Sequence, residues 1–231
     1  MSVWAIVVAA GSGSRFGGDE PKQYLRLGDR RVLDWSVDAA RSATDGIVLV
    51  VAPDRVGDLE PSVDSVVAGG DTRSASVRAG LAALPPDCDI VAVHDGARPL
   101  ASAALYGSVV DAVRAGADAA IPGLAVTDTV KRVGGAAAHD GSRVTGVVVE
   151  TLDRAELVAV QTPQAFRPDA LRAAHATSAD ATDDAALVEA SGGRVVVVAG
   201  ESSNLKITEP HDLVVLEALL GGLADDDPDG R

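Results

Sequence analysis

The sequence predicts an α/β protein built on a mainly parallel sheet with one inserted β-hairpin. Three observations carry that reading. Apolar runs of strand length recur at Val3 to Ala10, Ile47 to Ala52, Asp89 to His94 and Arg194 to Ala199. Helix-length segments separate the runs, and a β–α alternation with short links implies parallel strands. Between about residues 127 and 150 the alternation gives way to two β-rich runs with glycines between them, the pattern of a hairpin. The chain has 231 residues and 47% hydrophobic content, enough for one large core. Aromatics make up only 3%, so that core is aliphatic.

The first run organises the rest. It ends abruptly in Gly11-Ser12-Gly13-Ser14, and Arg15 and Lys22 follow on a segment with no apolar pattern. The C-terminal edge of the strands is where α/β sheets hold ligands, and backbone N–H groups exposed there suit phosphate. Two cations beside the loop favour a polyphosphate. A Walker loop would need lysine where Gly18 stands, and a dinucleotide loop would need glycine where Phe16 stands. What does fit is A-A-G-x-G-x-R followed by P-K, carried by Ala9, Ala10, Gly11, Gly13, Arg15, Pro21 and Lys22. That loop resembles the signature of sugar-nucleotide-type nucleotidyltransferases.

Composition narrows the partners. A net charge of −14 argues against nucleic acid or an anionic membrane surface. No apolar run reaches the ~18 residues of a membrane span. The single cysteine, Cys88, rules out an internal disulfide framework and fits a reducing cytoplasm. Lysine usage is informative. The chain holds 17 Arg but only 3 Lys, at positions 22, 131 and 206. These mark places where a compact, mobile ammonium is needed.

The remaining elements follow in order. Val32 to Ala40 is an amphipathic helix with Leu33, Val37 and Ala40 on one face. Ser65 to Ala68 is a short strand that runs into Gly69-Gly70-Asp71-Thr72-Arg73-Ser74-Ala75-Ser76, with helix from Val77 to Leu84. A G-G turn with an N-cap serine accounts for part of that stretch. The strand ending at His94 leads into Asp95-Gly96-Ala97-Arg98-Pro99. A carboxylate at a strand tip, then a turn and an arginine, suits a divalent metal held beside phosphates, because Mg²⁺ takes one or two carboxylates and fills its shell with water and phosphate oxygens. His139, His175 and His211 make no ligand spacing, so His94 is read as a packed residue.

Ala101 to Ala115 is a helix and Asp118 to Pro122 a strand. The hairpin pairs Thr129 to Val133 with Arg143 to Glu150. An isolated hairpin is marginal in water, so it is expected to pack against a second copy of the chain. Gln161 to Phe166, with a central proline, reads as a fixed loop. Helices over Leu171 to Ala176 and Ala185 to Ala190 follow, the second capped by Thr182-Asp183-Asp184. Asn204 to Thr208 is a short extended piece carrying Lys206. Pro210 to Leu220 is the last helix, and the acidic, Gly/Pro-rich end reads as disordered. The organisation is therefore one domain over 1–222, with an arm at about 127–150 and an acidic tail over 223–231.

Together, A-A-G-S-G-S-R, P-K-Q-Y, G-G-D-T-R-S-A-S, D-G-A-R-P, D-T-V-K, D-R, Q-T-P-Q-A-F, T-D-D and N-L-K-I-T resemble the 2-C-methyl-D-erythritol 4-phosphate cytidylyltransferase family of the non-mevalonate isoprenoid pathway. The resemblance covers nearly the whole chain. It implies a Rossmann-like sheet of the nucleotidyltransferase (nucleotide-diphospho-sugar transferase) type, a homodimer joined through the arm, and Mg²⁺ as cofactor. It implies that Arg15, Lys22, Arg154 and Lys206 are catalytic. Ala9, Ala10, Gly11, Gly13, Gly70, Asp71, Arg73, Ser76, Arg98, Thr129, Lys131, Thr162 and Thr182 would bind CTP and the polyol phosphate, and Asp95 would hold the metal. Ribitol-5-phosphate cytidylyltransferases share many of these motifs and stand as the alternative. A NAD-binding dehydrogenase is a further alternative, weakened by Phe16 and by the lack of an acidic residue at the second strand's end. A non-catalytic nucleotide-binding regulator is weakened by intact Lys22, Asp95 and Lys206.

Overall fold

The strand β1 (Ser2–Ala9) lies at the middle of the sheet, and its neighbours on both sides run parallel to it. The computed structural model describes all residues except 12–15, 17–19, 59, 61, 141–142, 177–180 and 226–231; of the side chains, those of 135–145 and 223–225 are also left undescribed. In chain order the elements after β1 are β2 (Arg26–Leu27), β3 (Arg30–Arg31), α1 (Val32–Arg41), β4 (Gly46–Val51), β5 (Ser65–Ala68) and α2 (Arg73–Ala83). Then come β6 (Cys88–Asp95), α3 (Ala103–Arg114), β7 (Ala119–Ala125), β8 (Lys131–Asp140) and β9 (Arg143–Thr151). The last are β10 (Val158–Val160), β11 (Gln164–Phe166), α4 (Pro168–His175), α5 (Asp184–Ala190), β12 (Val195–Ala199) and α6 (Pro210–Asp225).

The main sheet has the order β10-β7-β11-β6-β1-β4-β5, with β12 paired to β7. Strands β5, β4, β1 and β6 are mutually parallel, as are β7 and β12. Side chains alternate across a strand, and in β1 they are apolar in both directions. Ile6 joins Val48, Val50 and Val93 in a core covered by Val77 and Leu81 of α2, Leu171 of α4 and Val188 of α5. Ala5, Val7 and Ala9 join Ile47 and Leu49 on the other face, under Leu33 and Val37 of α1 and Tyr106 of α3. Helices on both faces are what a buried parallel sheet requires.

Three elements differ from the sequence reading. Gln161 to Phe166 is expected as a fixed loop, yet Gln164–Phe166 is a strand inserted antiparallel between β6 and β7. Three residues after a proline are too few to show a periodic pattern, but Gln164, Ala165 and Phe166 are all buried. The helix expected from Val77 begins at Arg73, because Thr72 rather than a serine caps it, its Oγ1 accepting from the Ala75 N–H at 3.1 Å. The last helix continues through Gly221-Gly222 to Asp225.

The hairpin β8–β9 forms its own two-stranded sheet. Its pairing reaches further toward the tip than expected, through His139↔Val144 and Asp140↔Arg143. Val147, Val148 and Val149 are 74%, 55% and 59% exposed, so three consecutive apolar side chains of the arm have no cover within one chain.

Phe166 is fully buried between two strands that diverge in sequence. Phe166→Ala is expected to destabilise the fold by about 3–5 kcal/mol, read as a lower urea midpoint with an unchanged denaturant slope.

Candidate active site

At the C-terminal edge of β1, β5 and β6 the chain leaves a cavity of about 570 Å³. Its described walls come from five separate stretches, one of them Pro53 just after β4. Val8 to Gly11 form the end of β1, and Lys22 and Gln23 follow the loop. Gly70 to Arg73 and Ser76 come from the β5–α2 junction, and Asp95 and Ala97 from the tip of β6. Lys206 and Thr208 enter from the segment before α6. Among the described residues Lys22, Arg73 and Lys206 are its cations, and Asp71 and Asp95 its carboxylates. The balance is cationic in a chain whose net charge is −14.

Asp95 is the centre of this arrangement. Lys206 Nζ donates to its Oδ2 at 2.6 Å, and Arg73 Nε lies 3.5 Å from its Oδ1. Burial alone would push the carboxyl up, but Lys206 and Arg73 overcome that and hold it well below the usual carboxylate range. Asp95 is therefore ionised at any working pH. Arg73 is itself clamped from behind. Its Nη1 donates to Asp184 Oδ2 at 2.6 Å, and His175 Nε2 lies 2.9 Å from Asp184 Oδ1. Asp184 is fully buried, and desolvation opposes the Arg73 charge while Asp184 and Asp95 sustain it, so the guanidinium is held above its ordinary value.

The segment that delivers Lys206 is pinned by a buried amide network. Gln161 Nε2 donates to the carbonyls of Glu201 at 2.8 Å and Asn204 at 3.2 Å. Asn204, fully buried, donates to the Thr162 carbonyl at 2.9 Å. The Ile207 N–H donates to the Ala97 carbonyl at 2.9 Å, and Asp212 Oδ2 accepts from the Thr208 N–H and Oγ1 at 2.7 and 2.9 Å. Lys22 Nζ donates to the Ile207 carbonyl, which links the first loop to this segment. Gln23 Nε2 donates to the carbonyls of Ala9 at 2.6 Å and Gly11 at 2.9 Å, fixing how the chain leaves β1.

Two glycines bring the β5–α2 loop against β1. A Cβ on Gly69 would stand 2.4 Å from Ala10 Cβ, and one on Gly70 would stand 2.6 Å from Ala75 Cβ. The Gly70 N–H donates to Ser76 Oγ at 3.2 Å. The wall here is thus small side chains and backbone polar groups, which suits a planar heterocycle.

The comparisons with known proteins agree with this geometry. The family model described as IspD, 2-C-methyl-D-erythritol 4-phosphate cytidylyltransferase, matches residues 3–222. The chain belongs to this 2-C-methyl-D-erythritol 4-phosphate cytidylyltransferase family. A relative of that name from Nocardia farcinica is 46% identical over 226 residues, covering 95% of this chain and 94% of its own length. Another of that name, from Streptomyces coelicolor, is 44% identical over 229 residues, covering 94% and 84%. The crystal structure of a 4-diphosphocytidyl-2C-methyl-D-erythritol synthase from Anaerococcus prevotii matches with a TM-score of 0.79 at 31% identity, covering 95% of this chain and 96% of that one. The fold is therefore the cytidylyltransferase fold, and the activity is that of the family: cytidylyl transfer to 2-C-methyl-D-erythritol 4-phosphate in the non-mevalonate pathway.

Of the residues the sequence of this cytidylyltransferase singles out, Ala9, Ala10, Gly11, Lys22, Gly70, Asp71, Arg73, Ser76, Asp95 and Lys206 meet at the cavity. Gly13 and Arg15 lie outside the described residues. Arg98 does not line the cavity; its Nη1 donates to the Asn204 carbonyl at 2.8 Å, so it braces the Lys206 segment. Thr162 is buried beneath the floor, its Oγ1 accepting from the Asp95 N–H at 3.0 Å and lying 3.2 Å from His94 Nδ1. His94 is packed as expected, and burial pushes its imidazole down to about 4. Thr182 is exposed and outside the cavity. Thr129, Lys131 and Arg154 belong to the arm and its base. Lys131 Nζ donates to Thr151 Oγ1 at 2.6 Å, and Arg154 Nη1 donates to the Thr127 carbonyl. Within one chain they stand apart from the cavity walls.

Sequence reasoning missed Gln23, Thr72, Thr208 and Asp184. All four were within reach, because each sits inside a quoted motif: P-K-Q-Y, G-G-D-T-R-S-A-S, N-L-K-I-T and T-D-D. Asp184→Ala leaves the Arg73 guanidinium without its buried partner. It is expected to destabilise the enzyme by about 3–5 kcal/mol, measured by urea unfolding.

Proposed function

We propose that the cavity holds CTP with its triphosphate along the Gly11 loop and its base against the β5–α2 wall. The observation that carries this is the meeting of Lys22, Arg73 and Lys206 in one cavity at the sheet's C-terminal edge, where Lys206 and Arg73 engage the ionised Asp95 carboxylate. Ala9, Ala10, Gly70, Asp71 and Ser76 surround cytosine, with backbone donors and acceptors selecting it and the alanines keeping the wall close. Arg73 positions that loop and the Asp95 carboxylate. Gly11 and Gly13 offer backbone N–H groups to the phosphates.

A phosphate oxygen of 2-C-methyl-D-erythritol 4-phosphate attacks the α-phosphorus of CTP. A new P–O bond forms as the bond to the β-phosphate bridging oxygen breaks, and pyrophosphate leaves with that electron pair. No covalent enzyme intermediate is needed. Catalysis is alignment plus neutralisation of negative charge. Arg15 and Lys22 stabilise charge on the α-phosphate and the leaving pyrophosphate, and Lys206 completes the cationic wall. Among the described residues no cluster of three metal-binding side chains occurs. A single carboxylate still fits Mg²⁺, which takes few protein ligands beside a triphosphate, and Asp95 stays ionised, with Oδ1 only loosely engaged at 3.5 Å. Asp95 would hold the ion, which supplies charge neutralisation to the phosphates.

The acceptor's own phosphate is left to the arm. Arg154 reaches it from the partner subunit of a homodimer, Thr129 and Lys131 stand near the acceptor at the start of the hairpin, and Thr162, Thr182 and Lys206 complete the pocket. The exposed Val147, Val148 and Val149 support a partner on the arm. The chain from 1 to 222 acts as one domain, with the acidic end outside it. No helix of the described residues is long and apolar enough to cross a membrane, which is consistent with work in the cytoplasm.

The assay is pyrophosphate release with CTP and Mg²⁺, comparing 2-C-methyl-D-erythritol 4-phosphate with ribitol 5-phosphate. Release with the first alone is expected; release with the second alone would overturn the acceptor. Lys22→Ala is expected to lower kcat by about 10²–10³-fold, and near-normal turnover would remove Lys22 from the role given to it. Arg154→Ala mixed with inactive Lys22→Ala is expected to regain activity through hybrid dimers. No recovery, with subunit exchange verified by mass, would exclude a shared site.

A further inference from the structure

The two oxygens of Asp95 are not equally available. Lys206 Nζ donates to Oδ2 at 2.6 Å, a short charge-assisted hydrogen bond. Oδ1 meets Arg73 Nε at 3.5 Å, beyond the range of a strong bond, and that guanidinium is turned to Asp184, 2.6 Å from its Nη1. Lys206 is also not a loose surface lysine. Its side chain is 35% exposed, and the backbone on either side is fixed by Gln161 and Asn204 before it and by the Ile207 N–H after it. The fold therefore builds an ammonium against one particular carboxylate oxygen.

The charge around Asp95 is already positive. Burial opposes ionisation of its carboxyl, while Lys206, Arg73 and Arg98 sustain it. Asp184 offsets Arg73, which leaves Lys206 and Arg98 around a single carboxylate. A divalent cation arriving alone meets repulsion there, and repulsion is strong at short range in a partly buried site. It also finds one open oxygen, where Mg²⁺ draws most of its shell from water and phosphate. A triphosphate reverses the balance, because its charges attract the ion and the ammonium together.

We infer that Lys206 makes metal binding conditional on the nucleotide: its ammonium reserves Oδ2, leaves Oδ1 as the one carboxylate oxygen for Mg²⁺, and repels the ion until a triphosphate is present. The inference rests on the reading of Asp95 as the residue that holds the ion. It gives Lys206 a task apart from any contact with phosphate, and it lets the ion depart with pyrophosphate once that charge leaves.

The test titrates Mn²⁺ into the full chain without acceptor and follows the free ion by its EPR signal. In the absence of CTP, Lys206→Met is expected to bind Mn²⁺ about tenfold more tightly than wild type, or more. Lys206→Gln, which keeps a hydrogen-bond donor without the charge, is expected to do the same. The gain is expected to vanish when Asp95→Asn is added. With CTP present, Asp95→Asn alone is expected to weaken the ion in the complex. No effect of Asp95→Asn there would overturn the metal reading and the inference with it. A clear effect there, together with Lys206 variants that bind Mn²⁺ no better than wild type, would overturn the inference alone. Crystals of wild type with CTP and Mn²⁺ give a readout that depends on no variant. The anomalous peak is expected beside Oδ1 with Lys206 still on Oδ2, and an ion held by both oxygens with Lys206 turned away would overturn the inference.

Discussion

The charge on Asp95 is what the rest of the site depends on. It stands at the tip of a central strand, nearly buried, where a lone carboxylate would be strongly disfavoured. Lys206 and Arg73 keep it ionised, and each is brought there by a different part of the chain. Arg73 comes from the first turn of α2 and is fixed by buried Asp184, with His175 behind it. Lys206 comes from a segment 111 residues away in sequence, held in place by Gln161, Asn204 and Arg98. Electrostatics and packing reinforce each other here: the carboxylate draws the cations in, and the network behind them prevents them from wandering to solvent.

The sheet explains why those parts can meet. Parallel strands deliver their C-terminal ends to one edge, and the loops that leave β1, β5 and β6 share that edge. Small residues let them approach closely, and Gly69 and Gly70 are placed where any side chain would strike Ala10 or Ala75. The short antiparallel strand β11 has an equally practical role. By lying between β6 and β7 it turns Thr162 under the Asp95 N–H, so the floor of the cavity is tied to the strand tip. The arm is the opposite kind of element: two strands outside the main sheet, with valines exposed in the single chain.

Much of this was legible in the sequence because it rests on local rules. Apolar runs mark β1, β4 and β6, since a strand buried on both faces must be apolar in both directions. The hairpin shows through β-rich runs with glycine between them. The scarcity of lysine points to Lys22, Lys131 and Lys206; Lys22 and Lys206 line the cavity, and Lys131 lies on the arm, apart from it. Strand β11 escaped because three residues carry no periodicity. The helix α2 starts earlier than the sequence suggests because Thr72, rather than a serine, caps it through the Ala75 N–H.

The sequence by itself therefore determined the α/β class, the glycine loop with its cations, the carboxylate at a strand tip and the family to which these motifs belong. Each depends on neighbours within a few residues, which the chain's order preserves. Only the tertiary structure decided that Asp184 holds Arg73, that Arg98 braces Asn204 instead of facing the cavity, and that Gln23 pins the exit from β1. These are contacts between buried polar groups mostly distant in sequence, and their partners are chosen by how the helices pack onto the sheet, which no local pattern records.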